Sequence, residues 1–134
     1  MKPKLILVVD DETHISHVVS GKLRQAGMQV MCASDGEEAY ELACASVPDL
    51  VITDFQMPLM SGLELSTKLR QNLATAHVPV MVVSARGHLI TAEDKAQTNI
   101  RAVMCKPFGP RHLLERVHEL LGLADAGQAG ARAA

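Results

Sequence analysis

Two kinds of segment alternate along the chain, and this alternation restricts the fold more than any other feature of the sequence. Short aliphatic runs recur five times, and each is followed by a stretch that suits a helix. Runs of this length with few polar residues are typical of parallel strands that are covered on both faces. The sequence therefore predicts an α/β fold, a doubly wound parallel sheet with helices on both faces. The predicted strands are residues 5–9, 29–33, 50–54, 78–84 and 101–105.

The five predicted helices differ in how clearly the sequence pattern indicates them. Three of them have a clear apolar stripe at three- and four-residue spacing. The second helix, at residues 35–46, is expected to begin after Asp35, which suits an N-cap. The fourth, at residues 89–98, has little apolar stripe, so we expect it to be the loosest element. The stripes consist of Ile15, Val18, Val19, Leu23 and Ala26 in the first helix, Leu65, Leu69 and Leu73 in the third, and Leu113, Leu114, Val117, Leu120 and Leu121 in the fifth.

Length and composition suit one globular domain. The chain has 134 residues, of which 48% are hydrophobic, enough for a core of ordinary size. We place this domain at residues 1–123. Residues 124–134, with the sequence ADAGQAGARAA, offer almost nothing to bury. For this segment we predict a disordered Ala/Gly-rich tail or a truncated linker.

Charge and the N-terminal sequence exclude several classes of protein. The 13 Lys and Arg residues against 15 Asp and Glu residues lack the basic excess of a nucleic-acid-binding domain. The apolar run near the N-terminus is too short for a signal peptide or a membrane span. We therefore expect a cytoplasmic protein with no direct nucleic-acid partner and no membrane contact.

The cysteines do not form a recognisable framework. Cys32, Cys44 and Cys105 are odd in number, are widely spaced and form no C-x-x-C motif. This pattern argues against a set of disulfides and against a thiolate zinc site. We expect reduced thiols that are buried in the core.

Polar residues follow the predicted strands at the end where ligands bind in sheets of this kind. Asp10 and Asp11 follow the first strand, Asp54 ends the third, Ser84 ends the fourth and Lys106 follows the fifth. Three carboxylates in one crevice repel one another unless a cation lies between them. Carboxylate oxygens suit Mg²⁺, and a hydroxyl and an ammonium beside them suit a phosphoryl group. The sequence therefore predicts a site for a hard divalent cation and a phosphoryl group.

Each of these signals is weak when it is taken alone. An acidic pair after a strand is as typical of a solvated turn or a helix N-cap as it is of a metal site. Asp54 by itself suits a cap of the next turn, and a Ser or a Lys-Pro pair at a strand end is usually structural. The prediction depends on the coincidence of all five residues at matched strand ends.

Four sequence motifs make the chain resemble a known protein family. The segments VVDDE, ITDFQMPLMSG, VVSA and CKPF occur in the order and at the separations of receiver domains of bacterial response regulators. The chain resembles these domains, including the single-domain chemotaxis regulator, from Lys4 to about Leu123. The resemblance implies a flavodoxin-like fold with strand order 2-1-3-4-5. It also implies that Asp54 accepts a phosphoryl group from a histidine of a sensor kinase.

The resemblance further assigns roles to individual residues. It implies that Asp11, Asp54 and the backbone carbonyl of Gln56 ligate Mg²⁺, with Asp10 acting through coordinated water. Ser84 and Lys106 would contact the phosphoryl oxygens, with a cis bond between Lys106 and Pro107.

The chain also departs from the family at one position that bears on switching. Val103 stands where most receivers have an aromatic residue, so the usual aromatic coupling is expected to be absent or replaced.

Three functional hypotheses follow. The first is a phosphorylatable receiver that takes its phosphoryl group from a sensor histidine kinase or a phosphotransfer protein and then switches binding to an unknown downstream protein. It would be no enzyme beyond its own phosphotransfer and autodephosphorylation. The second is a receiver-fold docking module or phosphate sink that does not signal through phosphorylation. The third is an aspartate-nucleophile phosphohydrolase, whose nucleophile would normally lie in the first strand, whereas the resemblance implies Asp54, at the end of the third strand, as the nucleophile.

Overall fold

The computed structural model describes residues 3–57, 60–84, 90–105 and 109–122. Within these residues, strands and helices alternate from first to last, as the sequence pattern predicts. The strands are β1 (Leu5–Val9), β2 (Gln29–Ala33), β3 (Leu50–Asp54), β4 (Val80–Ser84) and β5 (Ile100–Cys105). The helices are α1 (Thr13–Gln25), α2 (Gly36–Ala45), α3 (Gly62–Gln71), α4 (Ala92–Gln97) and α5 (Pro110–Leu120).

The five strands form one parallel sheet in the order β2-β1-β3-β4-β5. This confirms the predicted fold class and strand order. The order reverses at β1, which lies between β2 and β3. The carboxyl ends of β1 and β3 are therefore neighbours, at the position where open α/β sheets bind ligands.

Each face of the sheet has its own apolar core, because successive side chains of a strand point to opposite faces. On one face Leu7 and Val51 pack with residues of α2 and α3. On the other face Ile6 and Ile52 pack with residues of α1 and α5. Both faces of the central strands are thus covered, which explains their nearly continuous apolar sequences.

Three residues of the predicted apolar stripes are exposed, so this part of the prediction is wrong. Val18 is 48% exposed because α1 turns the Val19 and Leu23 side of the helix to the sheet. Leu73 is 95% exposed, since α3 ends at Gln71 and Leu73 lies beyond its extended C-cap. Ala26, the C-cap of α1, is exposed as well.

The expected burial of the cysteines is also wrong. All three are free thiols, but all three are exposed. Cys32 and Cys105 belong to β2 and β5, the two edge strands of the sheet. Cys44 lies on the outer side of α2, next to the buried Ala43.

The two helices with the weaker sequence patterns, α2 and α4, are both present. Asp35 is the N-cap of α2, and its Oδ1 accepts a hydrogen bond from the backbone N–H of Glu38 at 2.8 Å. Helix α4 has only six residues and none of them is buried. The predicted tail, residues 124–134, lies outside the described residues, so the proposed division of the chain stays a prediction. Among the described helices, none is long and apolar enough to cross a membrane.

Candidate magnesium site

Three carboxylates meet at the carboxyl ends of β1 and β3. The pairing of Val9 with Thr53 brings the residues that follow, Asp10 and Asp54, to the same edge of the sheet. One carboxylate oxygen from each of Asp10, Asp11 and Asp54 lies within 4.8 Å of the other two. The structure therefore brings together the acidic residues that the sequence placed at one site.

Asp10 is the buried member of this acidic cluster. Its side chain is 6% exposed, and its Oδ1 accepts a hydrogen bond from the backbone N–H of Glu12 at 2.8 Å. Its own backbone N–H donates to the carbonyl of Ala33, at the end of β2, at 3.1 Å. Asp11, by contrast, is exposed. The cluster thus has an anchored inner carboxylate and an outer one that faces water.

Asp54 is fixed by the backbone around it. Its Oδ1 accepts a hydrogen bond from the backbone N–H of Phe55 at 2.9 Å. Its carbonyl oxygen accepts one from the hydroxyl of the fully buried Thr53, also at 2.9 Å. Asp54 itself is only half-buried. The nucleophile candidate is therefore held by hydrogen bonds at both its carbonyl and its carboxylate.

The loop from β3 to α3 folds back tightly on Asp54. The backbone N–H of Gly62 donates to the carbonyl of Phe55 at 2.8 Å. A Cβ atom on Gly62 would overlap the carbonyl oxygen of Asp54, so only glycine fits this close approach. Ser61 caps α3 and forms a capping box with Glu64. Gln56, whose carbonyl is implied as a ligand, is exposed in this loop.

Of the other predicted site residues, Ser84 belongs to the described part of the chain and Lys106 does not. Ser84 ends β4 and is buried. It comes directly after Val83, which pairs with Asp54, so it lies at the same edge of the sheet as the acidic cluster. Lys106 and the Lys106–Pro107 bond lie outside the described residues, and their predicted roles stay predictions.

The donor set fits Mg²⁺. This ion prefers hard oxygen ligands, keeps several waters and takes one or two carboxylates from a protein. Asp10, Asp11 and Asp54 supply such oxygens within 4.8 Å of one another, and the exposed Asp11 leaves room for water on one side. No other group of three potential ligands occurs in the described part of the chain. A cation here would also offset the mutual repulsion of the carboxylates.

Thr53 and Gly62 are positioning residues that the sequence analysis missed. Thr53 is the polar residue inside the otherwise apolar LVITD run, which was a signal for a buried hydroxyl with a specific partner. Gly62, in the MSG segment, directly precedes a helical stripe and suggested a close backbone contact. Neither signal identifies the atom that is contacted.

Comparisons with known proteins agree with this geometry. The family model for the response regulator receiver domain matches residues 6–118. The sensor histidine kinase TmoS of Ectopseudomonas mendocina is 36% identical over 124 residues, which are 92% of this chain and 13% of the kinase. The phosphate regulon transcriptional regulatory protein PhoB of Pseudomonas aeruginosa is 29% identical over 131 residues, or 98% of this chain and 57% of the regulator.

A solved structure gives the same result for the fold. The chemotaxis response regulator CheY4 of Vibrio cholerae superposes with a TM-score of 0.82 at 28% sequence identity, over 89% of this chain and 99% of that chain. The match to this regulator is nearly end to end. In contrast, the chain spans 13% and 57% of the lengths of the two curated relatives.

Proposed function

Since the chain belongs to the response regulator receiver domain family of two-component signalling, we propose that it accepts a phosphoryl group on Asp54 and switches the binding of a downstream protein. The observation that carries this proposal is the acidic cluster, in which Asp54 lies beside Asp10 and Asp11 at the switch point of the sheet. Receiver domains bind Mg²⁺ at such an acidic site. For this chain we propose Asp11, Asp54 and the Gln56 carbonyl as ligands, with Asp10 acting through water.

For phosphoryl transfer, the protein mainly has to position the reacting groups and offset their negative charge. A carboxylate oxygen of Asp54 attacks the phosphorus of the donor, and the P–N bond to the donor histidine breaks as the new P–O bond forms. Because a carboxylate is already ionised at neutral pH, the attack needs no general base. Mg²⁺, when bound, supplies positive charge that offsets the carboxylates and the incoming phosphoryl oxygens.

Two further residues are proposed to hold the transferred group. The Ser84 hydroxyl, at the same edge of the sheet, would donate a hydrogen bond to a phosphoryl oxygen on Asp54. Lys106 would supply a positive charge opposite Mg²⁺. Both roles come from the family resemblance, and the position of Ser84 supports its part of the assignment.

The donor is proposed to be a histidine kinase or a phosphotransfer protein. Receiver domains work with such proteins, and a region of TmoS, itself a sensor histidine kinase, is among the relatives of this chain. The chain would catalyse only its own phosphorylation and dephosphorylation, without turnover of a separate substrate.

Incubation with Mg²⁺ and acetyl phosphate tests this function. We expect one phosphoryl group per chain, and we expect Asp54→Asn to abolish labelling because an amide is a poor nucleophile. Asp49→Asn is the matched control, since Asp49 is an exposed carboxylate just before β3, at the opposite end of the sheet. Normal labelling of Asp54→Asn would overturn the assignment. An unlabelled wild-type chain would favour a docking module, and steady release of phosphate from added esters would favour a phosphohydrolase.

A further inference from the structure

Gly36, the first residue of α2, lies close against Met60, in the loop that follows Asp54. A Cβ atom on Gly36 would lie 2.6 Å from Cβ of Met60 and 2.9 Å from both its Cγ and its carbonyl oxygen. Both residues are buried. Neither the Cβ nor the carbonyl of Met60 can rotate away, so a methyl group on Gly36 would force the backbone of Met60 to move.

Residues 60–62, at the end of this loop, are held at several points. Two residues after Met60, Gly62 lies against the carbonyl of Asp54 and donates its N–H to Phe55 at 2.8 Å. Ser61, between them, is held by the capping box with Glu64. A displaced Met60 would therefore act through Ser61 on Gly62, which approaches the backbone of Asp54 and Phe55 too closely to leave room for a Cβ atom.

The start of α2 also abuts the other side of the acidic cluster. Ala33, three residues before Gly36, accepts the hydrogen bond from the backbone N–H of Asp10 at 3.1 Å. Asp35 and Glu38 fix the intervening turn, because Asp35 caps the helix and Glu38 Oε1 accepts from the backbone N–H of Ser34 at 2.8 Å. The first turn of α2 is thus a rigid spacer between Asp10 and the loop after Asp54.

We propose that Gly36 is a positioning residue for the magnesium site. Its missing side chain lets Met60 rest against α2. Because the pairing of β1 with β3 already sets the spacing of Asp10 and Asp54, this contact would fix the loop after β3, which carries Gln56, relative to those two carboxylates. Mg²⁺ demands near-ideal octahedral geometry, so its affinity responds to small displacements of its ligands. The inference rests on the proposed function, because it concerns the same metal site.

Gly36→Ala tests this inference through the dissociation constant for Mg²⁺, measured by calorimetric or NMR titration. We expect the Kd to rise about tenfold, the lower end of the effect of residues that orient metal ligands. At saturating Mg²⁺, labelling with acetyl phosphate should return to one phosphoryl group per chain. The expected signature is weaker metal binding, with an intact reaction at saturating Mg²⁺, in a variant that circular dichroism shows to be folded without the metal.

Gly21→Ala is the matched control. Gly21 lies within α1, and a Cβ atom there would meet nothing within 4 Å. We expect this variant to melt at a higher temperature, because alanine favours a helix over glycine, and to keep the wild-type Kd for Mg²⁺. An equal Kd for Gly36→Ala and the wild type would overturn the inference.

A second variant approaches the contact from the other side. Met60→Ala removes Cγ and the atoms beyond it, which rest on Gly36, and keeps the Cβ and the carbonyl. It adds no volume to α2, so it can be tested if Gly36→Ala does not fold. We expect its Kd for Mg²⁺ to rise as well, and an unchanged value would overturn the inference. A wild-type chain that does not bind Mg²⁺ would instead contradict the proposed function, which separates the two failures.

Discussion

Thr53 has no exposed surface, yet its hydroxyl is hydrogen-bonded to the residue next to it. It donates to the carbonyl oxygen of Asp54 at 2.9 Å, and its oxygen lies 3.7 Å from Sδ of Met57. This bond fixes the peptide that follows the candidate nucleophile. A threonine inside a buried parallel strand thus restricts how Asp54 presents its carboxylate.

Thr53→Val removes this bond at almost constant volume. We expect a loss of about 1 kcal/mol in the free energy of unfolding, measured by urea titration, and labelling of Asp54 slowed by about tenfold because the carboxylate is less well placed. Thr75→Val is the matched control. Thr75 is equally buried and donates to the carbonyl of Leu69 at 2.7 Å, in the segment that follows α3. It should lose similar stability and keep the wild-type labelling rate, so equal rates in both variants would contradict this role of Thr53.

Single residues differ in how far the sequence predicts them. Asp10, Asp11, Asp54 and Ser84 could be predicted because the end of an apolar run is visible in the sequence and parallel strands share one ligand-binding edge. The contact of Gly36 with Met60 could not be predicted, because it joins residues 24 positions apart on two elements whose relative placement depends on packing. A glycine in a sequence shows freedom of the backbone, not which atom approaches it.

The two capping boxes show how element stability depends on burial. Ser61 caps α3 and Thr91 caps α4, and in each case the residue at the third helical position bonds back to the cap. The local hydrogen bonds are nearly the same, at 3.0 to 3.1 Å. However, α3 buries four residues and α4 buries none. Helix α4 therefore depends on its cap far more than α3 does.

Alanine at each cap separates local from global stability. Loss of an N-cap costs about 1 kcal/mol. For Thr91→Ala we expect faster amide exchange in residues 92–97 with almost no change in the urea midpoint, since α4 can open without disturbing the core. For Ser61→Ala we expect a lower urea midpoint, because α3 cannot open without exposing Leu65 and Leu69. Equal midpoint shifts in the two variants would contradict this difference.

The first and last residues of a strand could be predicted from the sequence where burial determines them. The bounds of β1, β2 and β3 match the predicted runs, because each run begins and ends with the buried or paired part of the strand. The predicted start of β4 at residue 78 is two residues early, since Pro79 has no N–H to donate to a neighbouring strand, although its carbonyl accepts a hydrogen bond from the N–H of Val51 at 3.0 Å. Strand β5 begins one residue before its predicted start, at Ile100, a buried residue that the apolar run 101–105 left out.

For the whole molecule, the acidic cluster links stability to magnesium. Without a cation, Asp10, Asp11 and Asp54 hold their negative charges close together, which opposes folding. A ligand that binds only the folded state stabilises it by about 2.7 kcal/mol at a hundredfold excess over its Kd. We expect the Tm to rise through a magnesium titration at neutral pH, and Asp11→Asn to reduce this rise.

Screening has to be separated from binding in that titration. Potassium chloride at matched ionic strength weakens the repulsion without occupying a specific site. A rise in Tm with magnesium that is no greater than the rise with potassium chloride would mean that the carboxylates do not form a binding site.

Strand β1 lies between β2 and β3, so an early part of the chain forms the acidic cluster. Because β1 pairs with both β2 and β3, all three carboxylates come from the first 54 residues of the chain. Parallel pairing needs a crossover, so each pair closes a loop, and loop-closure entropy rises only slowly with length. During synthesis from the N-terminus, Asp10, Asp11 and Asp54 are therefore all made before β4 and β5. A nascent chain thus concentrates negative charge early, and the divalent cations of its surroundings can act on its folding as well as on its chemistry.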